Sequence, residues 1–162
     1  MITDAQASVA ESLLALDRAH LIHPVANWHG HEQRGATVLH SGQGAWLRDE
    51  SGKELLDAFS GLWCVNIGYG HESVVEAAAR QMRKLPYATG YFSYSSEPAI
   101  RLAAKLAEIA PKGLSRVYLT LGGSEAVDAA VRLIVQFYNA TGRPKKKHFI
   151  SLERGYHGSS ST

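Results

Sequence analysis

The stretch that most constrains the fold is a β-prone run, two glycines and a helical pattern, in that order, within residues 116–140. Residues 116–121 read R-V-Y-L-T-L, and Val, Tyr and Thr are typical of strands. Gly122 and Gly123 interrupt this run. Apolar residues then recur at helical spacing, at Val127, Ala130, Val131, Ile134, Val135 and Tyr138. The pattern predicts a strand over residues 116–121, a glycine turn, and a helix over residues 124–140.

The predicted turn has the chemistry of an anion site. Ser124 is a favoured N-cap residue, and Glu125 and Asp128 put negative charge near the predicted helix start. The first N–H groups of a helix point outward, and neither Gly122 nor Gly123 has a Cβ that blocks close approach. A phosphate group is therefore the expected ligand of this turn.

Three interpretations of the turn remain open from these residues alone. The glycines can serve only the geometry of the connection. The run G-G-S-E-A of residues 122–126 is also similar to the G-x-S-x-G nucleophile elbow, in which Ser124 would be the nucleophile of a serine hydrolase. The third interpretation is a phosphate-binding turn for a cofactor. A Walker motif is excluded, because no Lys-Ser/Thr pair follows the glycines.

Four stretches, in order, resemble the class III pyridoxal-phosphate-dependent aminotransferases, the ω-transaminase group. Residues 122–128, G-G-S-E-A-V-D, are similar to the S-G-S/T-E-A-x-D signature of that family. Residues 61–71 (G-L-W-C-V-N-I-G-Y-G-H), 80–82 (R-Q-M) and 155–158 (G-Y-H-G) match in the same order. Leu121 and Gly122 depart from the family, many members of which carry Asn and Ser there. Contacts from those two side chains are therefore missing.

The resemblance implies an α/β fold, the N-terminal part of a fold-type I pyridoxal-phosphate-dependent transferase. Residues 1–60 would be the N-terminal segment of the small domain, a helix and a β-meander. Residues 61–162 would be the start of the large, mainly parallel-sheet cofactor domain. The implied cofactor is pyridoxal 5'-phosphate, and the implied reaction moves an amino group from an amine or ω-amino acid to a keto acid such as pyruvate. A homodimer or higher homo-oligomer is implied for the complete protein.

The resemblance also implies roles for individual residues. The cofactor would be bound by Gly122, Gly123, Ser124, Tyr156, His157 and Gly158. The substrate would be bound by Val25, Trp63, Tyr91, Phe92 and Tyr156. Val25 matches a position that often carries an aromatic residue of the pocket, so a wider pocket is expected here. Residues 87–94, which are rich in aromatics, correspond to a loop that reaches the neighbouring subunit in the family.

No catalytic residue is assigned within this sequence. In the family, the Schiff-base lysine and the aspartate that pairs with the pyridine nitrogen both lie well beyond the Tyr-His-Gly motif. None of the lysines of this chain has a similar sequence context. We therefore expect the 162 residues to be the N-terminal portion of a longer aminotransferase and to be inactive alone. The alternatives are the serine hydrolase and a fragment without catalytic function.

The remaining elements are predicted from periodicity and turn residues. Helices are predicted over residues 4–20, 72–85 and 98–110, and residues 20–35 have no clear period. A β-meander is predicted over residues 36–40, 44–48 and 54–59. A last strand, residues 147–152, would follow the helix over residues 124–140 and complete a β-α-β unit. Both the glycine turn and Tyr156 would then follow strand ends, where open α/β sheets bind ligands.

Composition restricts the partners and the location that we expect. With 17 basic and 15 acidic residues, no general attraction to nucleic acid or to a membrane is predicted. The basic run of residues 145–147 is interpreted as a solvated loop. The single cysteine, Cys64, excludes an internal disulfide and fits a reducing cytoplasm. No apolar stretch has the length of a membrane span, and no signal peptide opens the sequence.

Two further groups of polar residues are predicted to be structural. The histidines at positions 20, 23, 29, 31 and 40 have no acidic or cysteine partner at recognised ligand spacing, so no metal site is expected. Asp57 has no paired acid nearby in the sequence, and we expect it to stabilise the fold rather than to catalyse a reaction.

Overall fold

The computed structural model describes residues 4–160, with side chains from residue 11 onward, and divides them into two compact units. The first unit ends at Tyr87 and the second begins at Ala88. The predicted division at residue 60 refers to the two domains of a complete enzyme, and it stays a prediction.

The first unit contains helices, a small sheet and a glycine-rich loop, residues 61–71. Helix α1 (Asp4–His20) is followed by α2 (Trp28–Arg34), strands β1 (Leu39–Gln43), β2 (Trp46–Asp49) and β3 (Glu54–Leu56), and helices α3 (Ser60–Trp63) and α4 (Glu72–Lys84). The first predicted helix, the β-meander and the helix predicted over residues 72–85 are confirmed. Helix α2 was not predicted. It begins because the side chain of Asn27 accepts a hydrogen bond from the Gly30 amide at 3.1 Å.

The sheet has the strand order β1-β2-β3, and both pairs are antiparallel. Its register places Arg48 opposite Glu54, and their side chains form an ion pair with an N–O distance of 2.7 Å. At the turn between β2 and β3, the Asp49 carboxylate accepts hydrogen bonds from the Ser51 and Lys53 amides at 3.0 and 2.9 Å. The predicted turn chemistry therefore fixes the register of the second pair.

The glycine-rich loop of residues 61–71 lies against one end of this sheet. Gly44 and Tyr69 exchange two backbone hydrogen bonds, of 2.9 and 2.8 Å. The Tyr69 ring occupies the space above Gly42, where an added Cβ would come within 2.8 Å of the ring carbon Cγ. Gly42 therefore allows Tyr69 to anchor the loop.

The second unit contains α5 (Glu97–Ile109) and α6 (Gly123–Ala140), which confirm the two predicted helices. The predicted strands 116–121 and 147–152 are wrong as strands, because within residues 4–160 neither pairs with a neighbour. Leu121 is 100% exposed and Ile150 is 99% exposed. A parallel strand is defined by hydrogen bonds to adjacent strands, which sequence propensity cannot supply.

No hydrophobic residue between residues 11 and 160 is buried, so the described part of the chain has no apolar core. The amphipathic helices leave large apolar side chains accessible, among them Val75, Met82, Leu102, Ile134 and Phe137. These faces need further protein surface to cover them. Within the described part of the chain, no helix has the length and apolar character needed to cross a membrane.

Candidate functional site

The glycine turn forms the N-terminus of an 18-residue helix, α6. Gly122 is its N-cap, in extended backbone with φ −165° and ψ −177°, and its carbonyl accepts a hydrogen bond from the Ala126 amide at 3.1 Å. The prediction that Ser124 is the N-cap is therefore wrong. Ser124 lies inside the first turn, together with Glu125. The leading amides of such a helix have no acceptor within it, so they can bind an anion.

The Ser124 side chain contacts the segment that carries the Tyr-His-Gly motif. Its Oγ lies 3.2 Å from the Tyr156 hydroxyl and accepts a hydrogen bond from the Ser159 amide at 3.2 Å. The Tyr156 hydroxyl also lies 3.3 Å from Ser159 Oγ. The fold thus brings together two motifs that are 32 residues apart in the sequence.

Close backbone approach at Gly158 makes this contact possible. Gly158 has a φ of +114°, which residues other than glycine rarely adopt, and an added Cβ would lie 3.3 Å from Ser124 Cα. Both the positive φ and the close approach to Ser124 therefore favour glycine at position 158. Without a side chain there, the loop can pass directly over the start of α6.

Hydrogen bonding also tunes the Tyr156 phenol. The hydrogen bond with Ser124, followed by that with Ser159, lowers the pKa of Tyr156. Loss of hydration and the negative charge of Glu125 act in the opposite direction. Tyr156 is 77% exposed, so a flat partner could pack against it.

The donors at this turn fit a phosphate. A serine hydroxyl accepts two hydrogen bonds and donates one. If Ser124 Oγ accepts from the Ser159 amide and from Tyr156, its own proton remains available to an anion. At Gly123 an added Cβ would meet no neighbouring side chain within 4 Å, so the turn is open at this residue. We therefore place the candidate anion site at Gly122, Gly123 and Ser124.

Trp63 is the last residue of α3 in the first unit, and the four residues of α3 form a single left-handed turn. Ser60, Gly61, Leu62 and Trp63 have φ values of 50°, 55°, 62° and 64°. For residues other than glycine this conformation is strained, and strain of this kind concentrates at functional sites. The Trp63 ring packs edge-on against Phe59 at 4.9 Å and is 69% exposed.

Asp57 maintains this turn, which confirms its predicted structural role. Its carboxylate accepts hydrogen bonds from the Phe59 amide at 3.1 Å, the Gly61 amide at 2.8 Å and the Tyr69 hydroxyl at 2.8 Å. The Tyr69 hydrogen bond is the largest cause that lowers the pKa of Asp57, and the same contact raises the pKa of Tyr69. The pairing with Tyr69 was not predicted, because nothing in the spacing of the two residues indicates it.

We expect Asp57→Asn to loosen the turn that carries Trp63. An asparagine side chain replaces one acceptor oxygen by an N–H donor, which would face the donors of Gly61 or Tyr69. Amide hydrogen exchange at Phe59 and Gly61 should therefore speed up in the variant. Tyr69→Phe, which removes a single donor, should have a smaller effect. Unchanged exchange in Asp57→Asn would contradict this role.

The same protection should depend on pH. The folded pKa of Asp57 lies below its unfolded value, so the stabilisation is present above the ordinary carboxyl pKa of about 3.9 and is lost as the pH falls through the folded value. Exchange measured in the wild type across this acidic range should show the loss, and Asp57→Asn should not.

The other predicted substrate residues are exposed. Val25 lies in the first unit with a φ of 58° and is fully accessible. Tyr91 and Phe92 lie in the second unit, with ring centroids 6.1 Å apart. Tyr91 also lines a groove of about 510 Å³ with Tyr118, Leu119, Thr120, Leu121, Glu125, Asp128, Ala129, Arg132 and Leu133. Tyr91 thus borders the segment that leads into the glycine turn.

The sequence analysis did not predict one cluster of polar side chains. Asp17, His23 and His31 each place a potential ligand atom within 4.8 Å of the others. The expectation that the histidines lack an acidic partner is therefore wrong for His23 and His31. The spacing of Asp17 to His23, six residues across a helix end, matches no common metal motif, so only the fold reveals the cluster.

Comparison with known proteins identifies the family. The model of the family described as aminotransferase class-III matches residues 28–162. The chain is 40% identical over 145 residues to the putrescine–pyruvate aminotransferase of Pseudomonas aeruginosa, covering 90% of this chain and 32% of that protein. The structure of a transaminase from the marine bacterium Virgibacillus superimposes with a TM-score of 0.89 at 43% identity, covering 93% of this chain and 34% of that one.

A second solved structure, the ω-transaminase of Pseudomonas jessenii in complex with PMP, gives a TM-score of 0.87 at 37% identity and covers 90% of this chain and 32% of that one. The chain belongs to the class III aminotransferases. The predicted fold class, the N-terminal part of a fold-type I transferase, is confirmed by these structural neighbours. The chain spans about a third of the length of the relatives that it matches.

Proposed function

We propose that the chain is the part of a pyridoxal-phosphate-dependent aminotransferase that binds the cofactor phosphate and forms one side of the substrate pocket. The observation that carries this proposal is the contact between Ser124 Oγ and the Tyr156 hydroxyl at 3.2 Å. This contact supports the proposal because a helix N-terminus and an exposed aromatic ring then lie side by side, and pyridoxal phosphate combines a dianionic phosphate with a flat pyridine ring.

The residues present fit this cofactor. The amides at Gly122 and Gly123 and the hydroxyl of Ser124 would bind the phosphate. Tyr156, with His157 and Gly158, would lie against the ring. When bound, pyridoxal phosphate supplies an electron sink that makes proton transfer at the amine-bearing carbon possible. The contribution of this chain is to bind and orient the cofactor, and we assign no catalytic base within it.

The substrate pocket would include Val25, Trp63, Tyr91, Phe92 and Tyr156. Their aromatic rings are stiff and amphipathic, which favours an amine with an apolar or extended carbon chain. The relative from Pseudomonas aeruginosa, named for putrescine and pyruvate, supports an amine donor and a keto-acid acceptor. We propose amino transfer from an amine or ω-amino acid to a keto acid such as pyruvate.

We further propose that the complete protein is a homodimer or a higher homo-oligomer. Tyr91 and Phe92 are 74% and 88% exposed, which is unusual for neighbouring aromatic residues unless another surface covers them. Light scattering of the complete protein measures its mass, and a monomer would contradict the proposal.

We also propose a cytoplasmic location for the complete protein, in keeping with an exposed free thiol at Cys64. Cell fractionation tests this location.

The full-length protein that contains this sequence should transfer amino groups from diamines to pyruvate and show the yellow absorbance of bound pyridoxal phosphate. The 162-residue chain alone should not catalyse the reaction, because none of its lysines is assigned as the Schiff-base lysine that the reaction needs. The alternative, a serine hydrolase, predicts instead that a fluorophosphonate probe labels Ser124 in the full-length protein. Such labelling without any transamination would overturn the proposal in favour of the hydrolase.

A further inference from the structure

We propose that Asp17, His23 and His31 form a binding site for a divalent transition-metal ion such as Zn²⁺. This site lies in the first unit, uses none of the residues assigned to the cofactor or the substrate, and does not depend on the proposed aminotransferase activity. The evidence is the geometry of the three side chains, their burial and the chemistry of the ligand set.

The three ligand atoms are close to the distances that a metal requires. His23 Nε2 lies 2.8 Å from Asp17 Oδ1, and His31 Nε2 lies 3.3 Å from Asp17 Oδ2. In a tetrahedral zinc site, with Zn–N and Zn–O distances of about 2.0–2.2 Å, ligand atoms lie about 3.3 Å apart. Both imidazoles therefore direct Nε2 at the same carboxylate, and all three ligand atoms lie within 4.8 Å of one another, as the ligands of one ion would.

Local elements hold these side chains in place. Asp17 lies in the last turn of α1, where its carbonyl accepts a hydrogen bond from the Leu21 amide at 2.9 Å. The Asn27 cap starts α2 and so fixes the direction of His31, whose ring meets Trp28 edge-on at 5.8 Å. The His23 and His31 rings lie 4.5 Å apart. The site is thus built from one continuous stretch of the chain.

Two polar atoms in this cluster are enclosed without a hydrogen bond. Asp17 Oδ2 and His31 Nε2 are both inaccessible to solvent and have no hydrogen-bond partner. They are near enough for an ion pair, but they are not aligned for a hydrogen bond. The side chains of Asp17 and His31 are only 11% and 8% exposed. An enclosed acceptor without a partner is costly, and a metal ion would satisfy both atoms at once.

The ligand set indicates which ions fit. Two imidazoles and one carboxylate suit Zn²⁺, Co²⁺, Ni²⁺ and Cu²⁺, whereas Mg²⁺ and Ca²⁺ prefer oxygen ligands throughout. Three protein ligands leave a fourth position, which water can occupy because His23 is 29% exposed. The proposed ion therefore remains in contact with solvent.

The test is a titration of the full-length protein, purified free of metal, with Co²⁺ followed by its visible absorption and with Zn²⁺ followed by calorimetry. The wild type should bind one ion in this site, and its melting temperature should rise when metal is added. His31→Gln removes a proposed ligand and should weaken binding by at least about 100-fold, because loss of a residue that merely supports a ligand already costs about 10- to 100-fold.

His29→Gln is the matched control, because His29 lies on the same helix but contacts Gln33 at 3.0 Å. This variant should bind the metal as the wild type does. Equal weakening by His29→Gln and His31→Gln, or no binding by the wild type below millimolar metal, would overturn the proposal. If circular dichroism shows that His31→Gln does not fold, His23→Gln decides the question by the same criteria, since its partly exposed ring contributes less to the fold.

Discussion

Replacing Gly123 with valine should weaken pyridoxal-phosphate binding by the full-length protein more than tenfold. A valine side chain beside the first-turn amides of α6 would hinder the close approach of the phosphate to these proposed donors. The structure leaves room for the added Cβ, because no atom beyond the adjoining residues and the helix backbone lies within 4 Å of it. Loss of one charge-assisted contact corresponds to about 1.5–3 kcal/mol. A titration followed by the absorbance of the bound cofactor measures the affinity.

The expected loss is specific to the anion site for two reasons. Gly123 has no positive φ, and valine is no worse a helix former than glycine, so α6 should remain intact. Ala140→Val places the same β-branched side chain at the other, exposed end of α6 and should leave the affinity unchanged. Wild-type affinity in Gly123→Val would show that the cofactor phosphate is bound elsewhere.

Replacing Trp63 with leucine should change the ranking of amine donors. If the indole forms a wall of the pocket, its truncation should change the ratio of kcat/KM values for a bulky and a compact amine by about thirtyfold, equivalent to about 2 kcal/mol. Affinity for pyridoxal phosphate should stay nearly unchanged, because the proposed contacts of Trp63 are with the substrate and not with the phosphate. Steady-state kinetics with a panel of amines gives the ranking.

Trp46→Leu is the control for this substitution, since Trp46 is 53% exposed on β2 and belongs to no proposed site. It should preserve both the donor ranking and the cofactor affinity. Loss of pyridoxal phosphate in Trp63→Leu with an unchanged ranking would instead place Trp63 in the structural core of the complete enzyme. In that case the left-handed turn that carries it would serve packing and not substrate selection.

Helix predictions succeeded where the signals are local. Helices α4 and α5 follow apolar periodicity; α4 ends two residues before Pro86, and α5 begins one residue before Pro98, so their bounds were predicted within one residue. Helix α2 has no such period, and it depends on the Asn27 cap, which the sequence pattern did not reveal. The segments 116–121 and 147–152 have strand propensity, but a strand also needs partners to which it can hydrogen bond.

The same division holds for the candidate site: features formed by consecutive residues could be predicted, whereas contacts between segments far apart in the sequence could not. The candidate anion site could be predicted because consecutive residues, Gly122 to Ser124, form it. The contacts of Ser124 with Tyr156 and of Asp57 with Tyr69 depend on how separate segments meet, and only the structure reveals them. Asp17 was missed for the same reason, since its partners His23 and His31 are brought to it across the break between two helices.

Segments 116–121 and 147–152, which pair with no strand in the described part of the chain, have a consequence for self-association. Apolar, β-prone segments with free backbone groups pair readily with copies of themselves into cross-β fibrils. Arg116 opens the first segment, and the basic run of residues 145–147 leads into the second. Charges at the ends of such segments repel an identical neighbour in register. We therefore expect these cations to oppose fibril formation wherever the two segments are exposed.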